Sequence, residues 1–293
     1  MEVHQLRYFV AVADEGNFSR AAQKVHVAQP SLSQQIQKLE GELGQPLFDR
    51  LPRAVVLTEA GKRFRAFAQQ ILAHLADAQR CIDEYKGQAV GRLVIGAIPT
   101  IAPYLLPRLL PQFQQKHPKV TVAVVEDVTE SLERRMEDGE VDLALLSTCE
   151  SQDLSREPLG EEALLVAVPE GHRLTKKERL SWRDLRGEKF LALHRTHCLS
   201  RQVAELCAAH QLNPELAARG AQLHTIIRMV RAGLGLSLVP QMMADDEGNK
   251  GCRFLPFVAP VPTRKVNLVR NPLRFHSKAA MAFTMIAKET IVA

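Results

Sequence analysis

The stretch His194–Cys207, HRTHCLSRQVAELC, carries two cysteines nine residues apart, with two histidines and two arginines beside the first. Thiols and imidazoles in that arrangement support three kinds of chemistry. His194, His197, Cys198, Cys207 and His210 supply enough ligands for zinc, although HxxHC…CxxH is not a finger spacing. A thiol at a helix start beside Arg195, Arg201 or a protonated His197 has its pKa lowered and reacts as thiolate. Alternatively, both cysteines are small hydrophobes in a core. Cys207, flanked by Leu206, Ala208 and Ala209, reads as a buried, inert thiol.

The element that positions them decides much. KFLALH reads as a strand, and Leu199, Val203, Leu206 and His210 then mark the apolar stripe of a helix that begins near Cys198. Nine residues of helix span about 13.5 Å and turn the two side chains to opposite faces. A disulfide requires Cα atoms about 4.4–6.8 Å apart. If these sulfurs bond, the helix must first unwind and repack, so a bond would select one of two packings.

The chain has 293 residues, enough for two or three domains. No basic n-region followed by an apolar run opens it, and no apolar run approaches the roughly 18 residues of a membrane span. The sequence therefore predicts a cytoplasmic protein without membrane contact. In that reducing setting the five cysteines are no structural disulfide framework, and a cysteine pair points to metal or redox chemistry. The net charge of +5 permits an anionic partner without requiring one.

Three short amphipathic helices are expected in the first sixty residues, from Leu6, Phe9, Val10, Val12 and Ala13, from Phe18, Ala21, Ala22 and Val25, and from Leu32, Ile36 and Leu39. Asn17 or Ser19 opens the second, and the short HVAQP turn makes the pair a helix-turn-helix. The third helix leaves Gln29, Pro30, Ser31, Ser33, Gln34 and Lys38 outside. Gln pairs bidentately with adenine, Ser reaches base edges, Pro touches a thymine methyl and Lys meets phosphate. Gly16 to Leu39 contains no acid but holds Arg20, Lys24 and Lys38. Residues 1–62 balance seven Lys/Arg against seven Asp/Glu, so DNA affinity must come from placement. QPLFDRLPRAVVLTEAG reads as a hairpin wing, with Arg53 at its tip for the minor groove and Arg50 for a phosphate. The bland alternative is a solvated polar face.

FVAVADEGNFSRAAQKVHVAQPSLSQQIQKLEGELGQPLFDR, followed by LTEAG, resembles the DNA-binding domain of LysR-type transcriptional regulators over nearly all of residues 3–62. Ala28 departs from the Ser that often caps the third helix there, a loss of about 1 kcal/mol. Next, Thr58 caps a long helical pattern in which Phe64, Phe67, Ile71, Leu75, Ala78, Ile82 and Tyr85 form a coiled-coil-like seam, with Cys81 packed within it. Such a rod, roughly 40 Å long, calls for a second copy and a palindromic site. The alternative is a helix packed on its own domain.

Gly87 to Gly91 marks a boundary, beyond which strand and helix patterns alternate: an α/β domain with a mostly parallel sheet. Ligands of such folds sit beyond the carboxyl ends of strands. Thr100 and Thr129 follow the first and second strands and should face that crevice, unless they are plain helix caps. The family resemblance implies a winged helix-turn-helix at 1–57 and a linker helix at 58–90. It also implies a periplasmic-binding-protein-like effector domain at 91–293, with lobe I at 91–162 and 266–293 and lobe II at 163–265.

HCLSRQVAELC resembles the redox segment of the OxyR-type, peroxide-sensing subgroup of that family. IPTIAPYLLP and the PxRxxxLV spacing of PTRKVNLV are similar to motifs of the same subgroup. The resemblance implies that Cys198 is the peroxidatic and Cys207 the resolving thiol. It implies that Thr100, Thr129 and His197 bind peroxide and a water, and that Arg264 supports the thiolate or the leaving oxygen. The implied partners are double-stranded DNA, hydrogen peroxide, further copies in a homodimer or homotetramer, and RNA polymerase. No cofactor, no metal and no enzymatic activity are implied. His194-Arg195-Thr196 is more basic than the acidic, Gly-containing approach of the subgroup, and Gln222-Leu223-His224 replaces a small-hydroxyl and acidic pattern. The competing readings are a LysR-type regulator with a metabolite in the interlobe crevice, and an enzyme with a Cys198 nucleophile. The second leaves the DNA domain unexplained, and the sequence shows no oriented Cys–His–acid set.

Overall fold

The structure, a computed structural model, describes residues 1–51, 54–85, 91–248 and 250–292. Arg53, the turn residue Pro52, the expected break at 87–90 and the side chains of Arg50 and Tyr85 lie outside the described residues. Two compact units result. The first holds the N-terminal helices, the wing and the long helix, together with the short segments Glu137–Glu140 and Leu273–Phe275.

In the first unit, α1 (Val3–Glu15) opens with a reciprocal Glu2–Gln5 capping box and stops at Gly16 in the left-handed region. The side chain of Asn17 accepts from the N–H groups of Ser19 and Arg20 and so starts α2 (Phe18–Lys24). The third helix, α3 (Gln29–Leu43), has Ala28 at its N-cap without a side-chain bond, with Pro in its first turn and Gly44 closing it. Phe9, Val12, Leu32, Ile36 and Leu39 are fully buried between these helices. β1 (Phe48–Leu51) and β2 (Ala54–Leu57) pair antiparallel as the wing. The Glu40 carboxylate fixes the wing to α3 by accepting from the N–H of Leu47 at 2.8 Å and of Phe48 at 3.2 Å. Thr58 caps α4 (Glu59–Tyr85), its hydroxyl oxygen accepting from Gly61 N.

The second unit has two lobes. β3 (Gly91–Ala97), α5 (Ala102–Lys116), β4 (Val120–Glu126), α6 (Thr129–Glu137) and β5 (Leu143–Leu146) begin lobe I. β6 (Ser155–Pro169) crosses to lobe II, which adds two short 3₁₀ turns, β7 (Lys189–Leu193), α7 (Cys198–Ala209), β8 (Glu215–Gly220), α8 (Leu223–Arg231), β9 (Ser237–Pro240), α9 (Gln241–Glu247) and β10 (Cys252–Leu255). β11 (Thr263–Arg270) returns, and α10 (Lys278–Val292) packs Phe283, Ile286 and Ala287 onto the lobe I core.

The sheet is mixed, not mostly parallel. Among the described residues, parallel strand pairing joins β3 with β4 and β5 and β7 with β8, with isolated parallel bridges at Phe190–Leu236 and Leu180–Phe257. The cause is the double crossover. β6 and β11 run in opposite directions between the lobes and pair antiparallel, while the second half of β6 pairs antiparallel with β9 and β10. At the entry to β9, Gly235 has φ +158°, and a Cβ there would sit 2.7 Å from the Lys189 carbonyl, so the backbone needs glycine. No described helix is long and apolar enough to cross a membrane.

Candidate functional site

Because β3, β4 and β5 are adjacent and parallel, their carboxyl ends open on one side, and Thr100, Thr129 and Ser147 follow those ends. Each of the three is buried. Thr100 and Thr129 are not plain caps. The hydroxyl oxygen of Thr100 accepts from Arg264 Nη1 at 2.7 Å and its carbonyl from Nη2 at 2.8 Å. Among the described residues, Thr129 Oγ1, Thr148 Oγ1 and the Gln202 side-chain carbonyl are buried with no hydrogen-bond partner. Buried polar atoms left unpaired cost free energy, so such a cluster is suited to a small hydrogen-bonding molecule.

Arg264 holds this end together. Its side chain is fully buried, and Nε donates to Glu162 Oε1 at 2.7 Å, while Glu162 Oε2 accepts from Met242 N at 2.9 Å. Three of its five N–H donors thus serve Glu162 and Thr100. The guanidinium therefore fixes the Thr100 hydroxyl, whose oxygen already accepts and whose proton remains to be donated.

Cys198 begins α7, with His197 as the N-cap, and both are buried. The Cys198 side chain joins the lobe I core together with Ile98, Ile101, Leu132 and Leu146. Cys207 is equally buried but belongs to a separate lobe II cluster with Leu174, Leu212, Leu236 and Phe257, and burial alone pushes its thiol up. Both are free thiols at the two ends of one regular helix, about 13.5 Å apart along its axis. Beneath α7 lies a cleft of 670 Å³ walled by Leu191, Leu193, Leu199, Val203, Cys207 and Leu216. The inner face of the helix is therefore incompletely packed against β7 and β8.

The expected cations around Cys198 are corrected by the structure. Burial pulls His197 below the usual imidazole range, a shift opposed by its N–H donating to the Ala221 carbonyl, so the neutral ring is favoured. Arg201 is paired with Glu150 at 2.6 Å. Arg195 is exposed at the cleft rim. The zinc set does not converge: α7 separates Cys198 from Cys207, and His210 stacks on Trp182 with ring centroids 4.4 Å apart. His224, in the departing Gln222–His224 stretch, stacks on Tyr104 of lobe I.

Sequence reasoning missed Gln202, Ser147, Thr148 and Glu162. Gln202 lies four residues after Cys198, hence on its helix face, and donates to Ser147 Oγ at 3.3 Å. The rule that selected Thr100 also selects Ser147 and Thr148, which follow β5 directly.

In the first unit, Gln29, Pro30, Ser31, Gln34 and Lys38 are exposed on α3 and Ser33 is half-buried. Gln35 turns inward, accepting from the Gln5 side chain. The acid-free surface is less bare than the sequence suggests, because Glu15, just before it, pairs with Lys24 at 2.9 Å. Along α4, Phe67, Ile71, Leu75 and Ile82 are exposed, 65% and 62% at Phe67 and Ile82, and Cys81 is exposed beside them. The seam thus does not pack on its own unit, whereas Phe64 does pack on the helix-turn-helix core.

Two family models match this chain: the bacterial regulatory helix-turn-helix protein, lysR family, over residues 3–62, and the LysR substrate binding domain over residues 86–291. The chain belongs to the LysR family. Within that family it falls in the OxyR subgroup. The DNA-binding transcriptional dual regulator OxyR of Escherichia coli strain K12 is 35% identical over 274 residues, 93% of this chain and 90% of that one. A full-length OxyR cysteine variant from Pseudomonas aeruginosa aligns with a TM-score of 0.80 and 32% identity, covering 99% of this chain and 94% of that one. A hydrogen-peroxide-bound cysteine variant of Corynebacterium glutamicum OxyR aligns at 0.64 with 30% identity, over 98% and 92% of the two chains. This LysR-family member therefore shares both of its units with full-length OxyR proteins.

Proposed function

We propose that this chain is a DNA-binding transcriptional regulator that senses hydrogen peroxide through reversible Cys198–Cys207 disulfide formation. One observation carries this reading. A thiol at a helix start lies at the unsatisfied polar end of the lobe I sheet, and a second thiol on the same helix is held in a different core.

The Cys198 thiolate attacks one peroxide oxygen, the O–O bond breaks, and the departing hydroxide takes a proton to become water. Thr100, oriented by Arg264, donates to the thiolate or the peroxide. Thr129 and neutral His197 complete the hydrogen bonding around it. The Cys198 sulfenic acid is then attacked by Cys207, and the second oxygen leaves as water. Because α7 forbids that bond, its residues must unwind, and the incomplete packing over the cleft lowers the cost of doing so. The repacked segment changes the contacts between subunits and hence the spacing of the DNA-binding units.

On DNA, α3 enters the major groove with Gln29, Pro30, Ser31, Ser33 and Gln34 toward bases and Lys38 toward phosphate, with Arg50 and Arg53 on the wing. The exposed α4 seam pairs two copies, and two such dimers make a tetramer. The boundaries that fit are 1–57, 58–90 and 91–293, with lobes at 91–162 with 266–293 and at 163–265. The protein acts in the cytoplasm, with RNA polymerase as a further partner.

Thiol titration before and after one equivalent of hydrogen peroxide tests the reading. Two of the five thiols should be lost in the wild type and none in Cys198→Ser. Loss of no thiols in the wild type overturns it.

A further inference from the structure

Cys149 has no part in the scheme above, yet its surroundings point to Cys198. It lies three residues past β5, at the sheet end where the polar cluster gathers. The tetrapeptide Ser147–Glu150 is pinned to α7 at both ends, by Gln202 to Ser147 at 3.3 Å and by Arg201 to Glu150 at 2.6 Å. Arg201 and Gln202 stand three and four residues after Cys198 and so share its helix face. Cys149 is thus held between two contacts with the face of α7 that carries Cys198. The two thiols belong to one contiguous buried cluster, whereas Cys207 belongs to another. The Cys149 thiol donates to the Ser151 carbonyl at 3.7 Å, and it also interacts with Glu133 of α6, which accepts from Glu150 N at 2.7 Å and stands one turn after Thr129 on the same face, about 6 Å along the helix.

We propose that Cys149 is a second resolving thiol, forming a disulfide with oxidised Cys198 that ties lobe I to lobe II while α7 stays intact. This rests on the reading of Cys198 as the peroxide-reactive thiol. The chemistry balances with hydrogen peroxide as oxidant. Cys198 becomes a sulfenic acid and one oxygen leaves as water. The Cys149 sulfur then attacks the Cys198 sulfur, its proton passes to the Glu133 carboxylate, and the sulfenic oxygen departs as water on receiving that proton. Two thiols are oxidised to one disulfide and one peroxide is reduced to two waters.

Burial and the Glu133 carboxylate push the Cys149 thiol up to about 12, so it does not compete for peroxide and needs the adjacent base to react. Cys207 is reached only after α7 unwinds; Cys149 lies off that helix, on the segment bonded to Arg201 and Gln202. The Cys149–Cys198 bond therefore forms first, and thiol exchange passes Cys198 on to Cys207 as α7 opens.

Full-length Cys207→Ser, treated with one equivalent of hydrogen peroxide, alkylated and digested with trypsin without reduction, tests this. Cleavage at Arg135, Arg156, Arg195 and Arg201 places Cys149 and Cys198 in separate peptides. The proposal expects those peptides joined and two thiols lost. It also expects that adding Cys149→Ala to Cys207→Ser leaves Cys198 as a sulfenic acid captured by dimedone. Dimedone labelling of Cys198 in Cys207→Ser, with no joined peptide, overturns the Cys149 assignment alone. Wild-type protein in which Cys198 is not oxidised at all overturns the underlying sensor reading as well.

Discussion

Arg264→Met removes the group that holds the polar end of the lobe I sheet in place. The guanidinium is fully buried and Glu162 is 10% exposed, so solvent does not screen their contact. Taking away one partner of a buried pair costs about 3–5 kcal/mol, because the remaining charge is left without compensation. Here Glu162 keeps only the Met242 N–H among these contacts, and the Thr100 hydroxyl and carbonyl lose their donors. With a urea m-value of about 2 kcal/mol/M, the unfolding midpoint should fall by roughly 1.5–2.5 M. Trp182, the only tryptophan, lies in lobe II and reports this transition by fluorescence. Arg264→Met combined with Glu162→Gln removes the stranded charge and should be more stable than Arg264→Met alone. A midpoint shift below about 0.5 M, or a double variant less stable than the single one, would refute the view that this buried pair organises the site.

On the DNA side, Lys38→Ala should weaken binding about equally across operator variants and reduce the log–log salt slope by about 0.9, measured by fluorescence anisotropy at several salt concentrations. Ala28→Ser supplies the missing side-chain cap of α3 and should stabilise the first unit by about 1 kcal/mol, read from thermal unfolding. Phe67→Glu with Ile82→Glu should leave the helical circular dichroism unchanged and shift the protein toward monomer in sedimentation velocity. The depressed imidazole of His197 gives a defined pH dependence. Between its folded value and the ordinary value near 6.5 the unfolded chain binds more protons, so stability falls as pH drops through about 6.5. His197→Asn should flatten that part of the curve of melting temperature against pH.

The N-terminal unit was legible because its signals are local. Leu32, Ile36 and Leu39 repeat with the helix period, Asn17 and Gly16 punctuate it, and the hairpin register follows from a short turn. The effector unit was legible where strands are apolar, as in LALL and LLVAV. Three strand segments escaped. ELAARG is an edge strand with exposed Leu216 and no alternation, CRFL is only four residues long, and SREPLGEEA looks like a charged loop. That last stretch is the first half of β6, whose polar residues are tolerated because it crosses between lobes. Missing it made the sheet read as parallel. Within the site, the helical start at Cys198 and the place of Thr100 and Thr129 just beyond the strand ends followed from spacing. Charge states did not. The burial of His197 comes from tertiary packing, the Arg201–Glu150 pair joins the two lobes, and the Arg264–Glu162 pair joins residues 102 apart in the chain.

The central claim is that peroxide joins two sulfurs which the reduced helix keeps apart. Arg201 lies between them, so trypsin places Cys198 and Cys207 in different peptides. Non-reducing peptide mapping of the wild-type protein after one equivalent of hydrogen peroxide should therefore recover those two peptides linked to each other. Recovery of both cysteines as free, alkylated thiols after the same treatment would contradict the account.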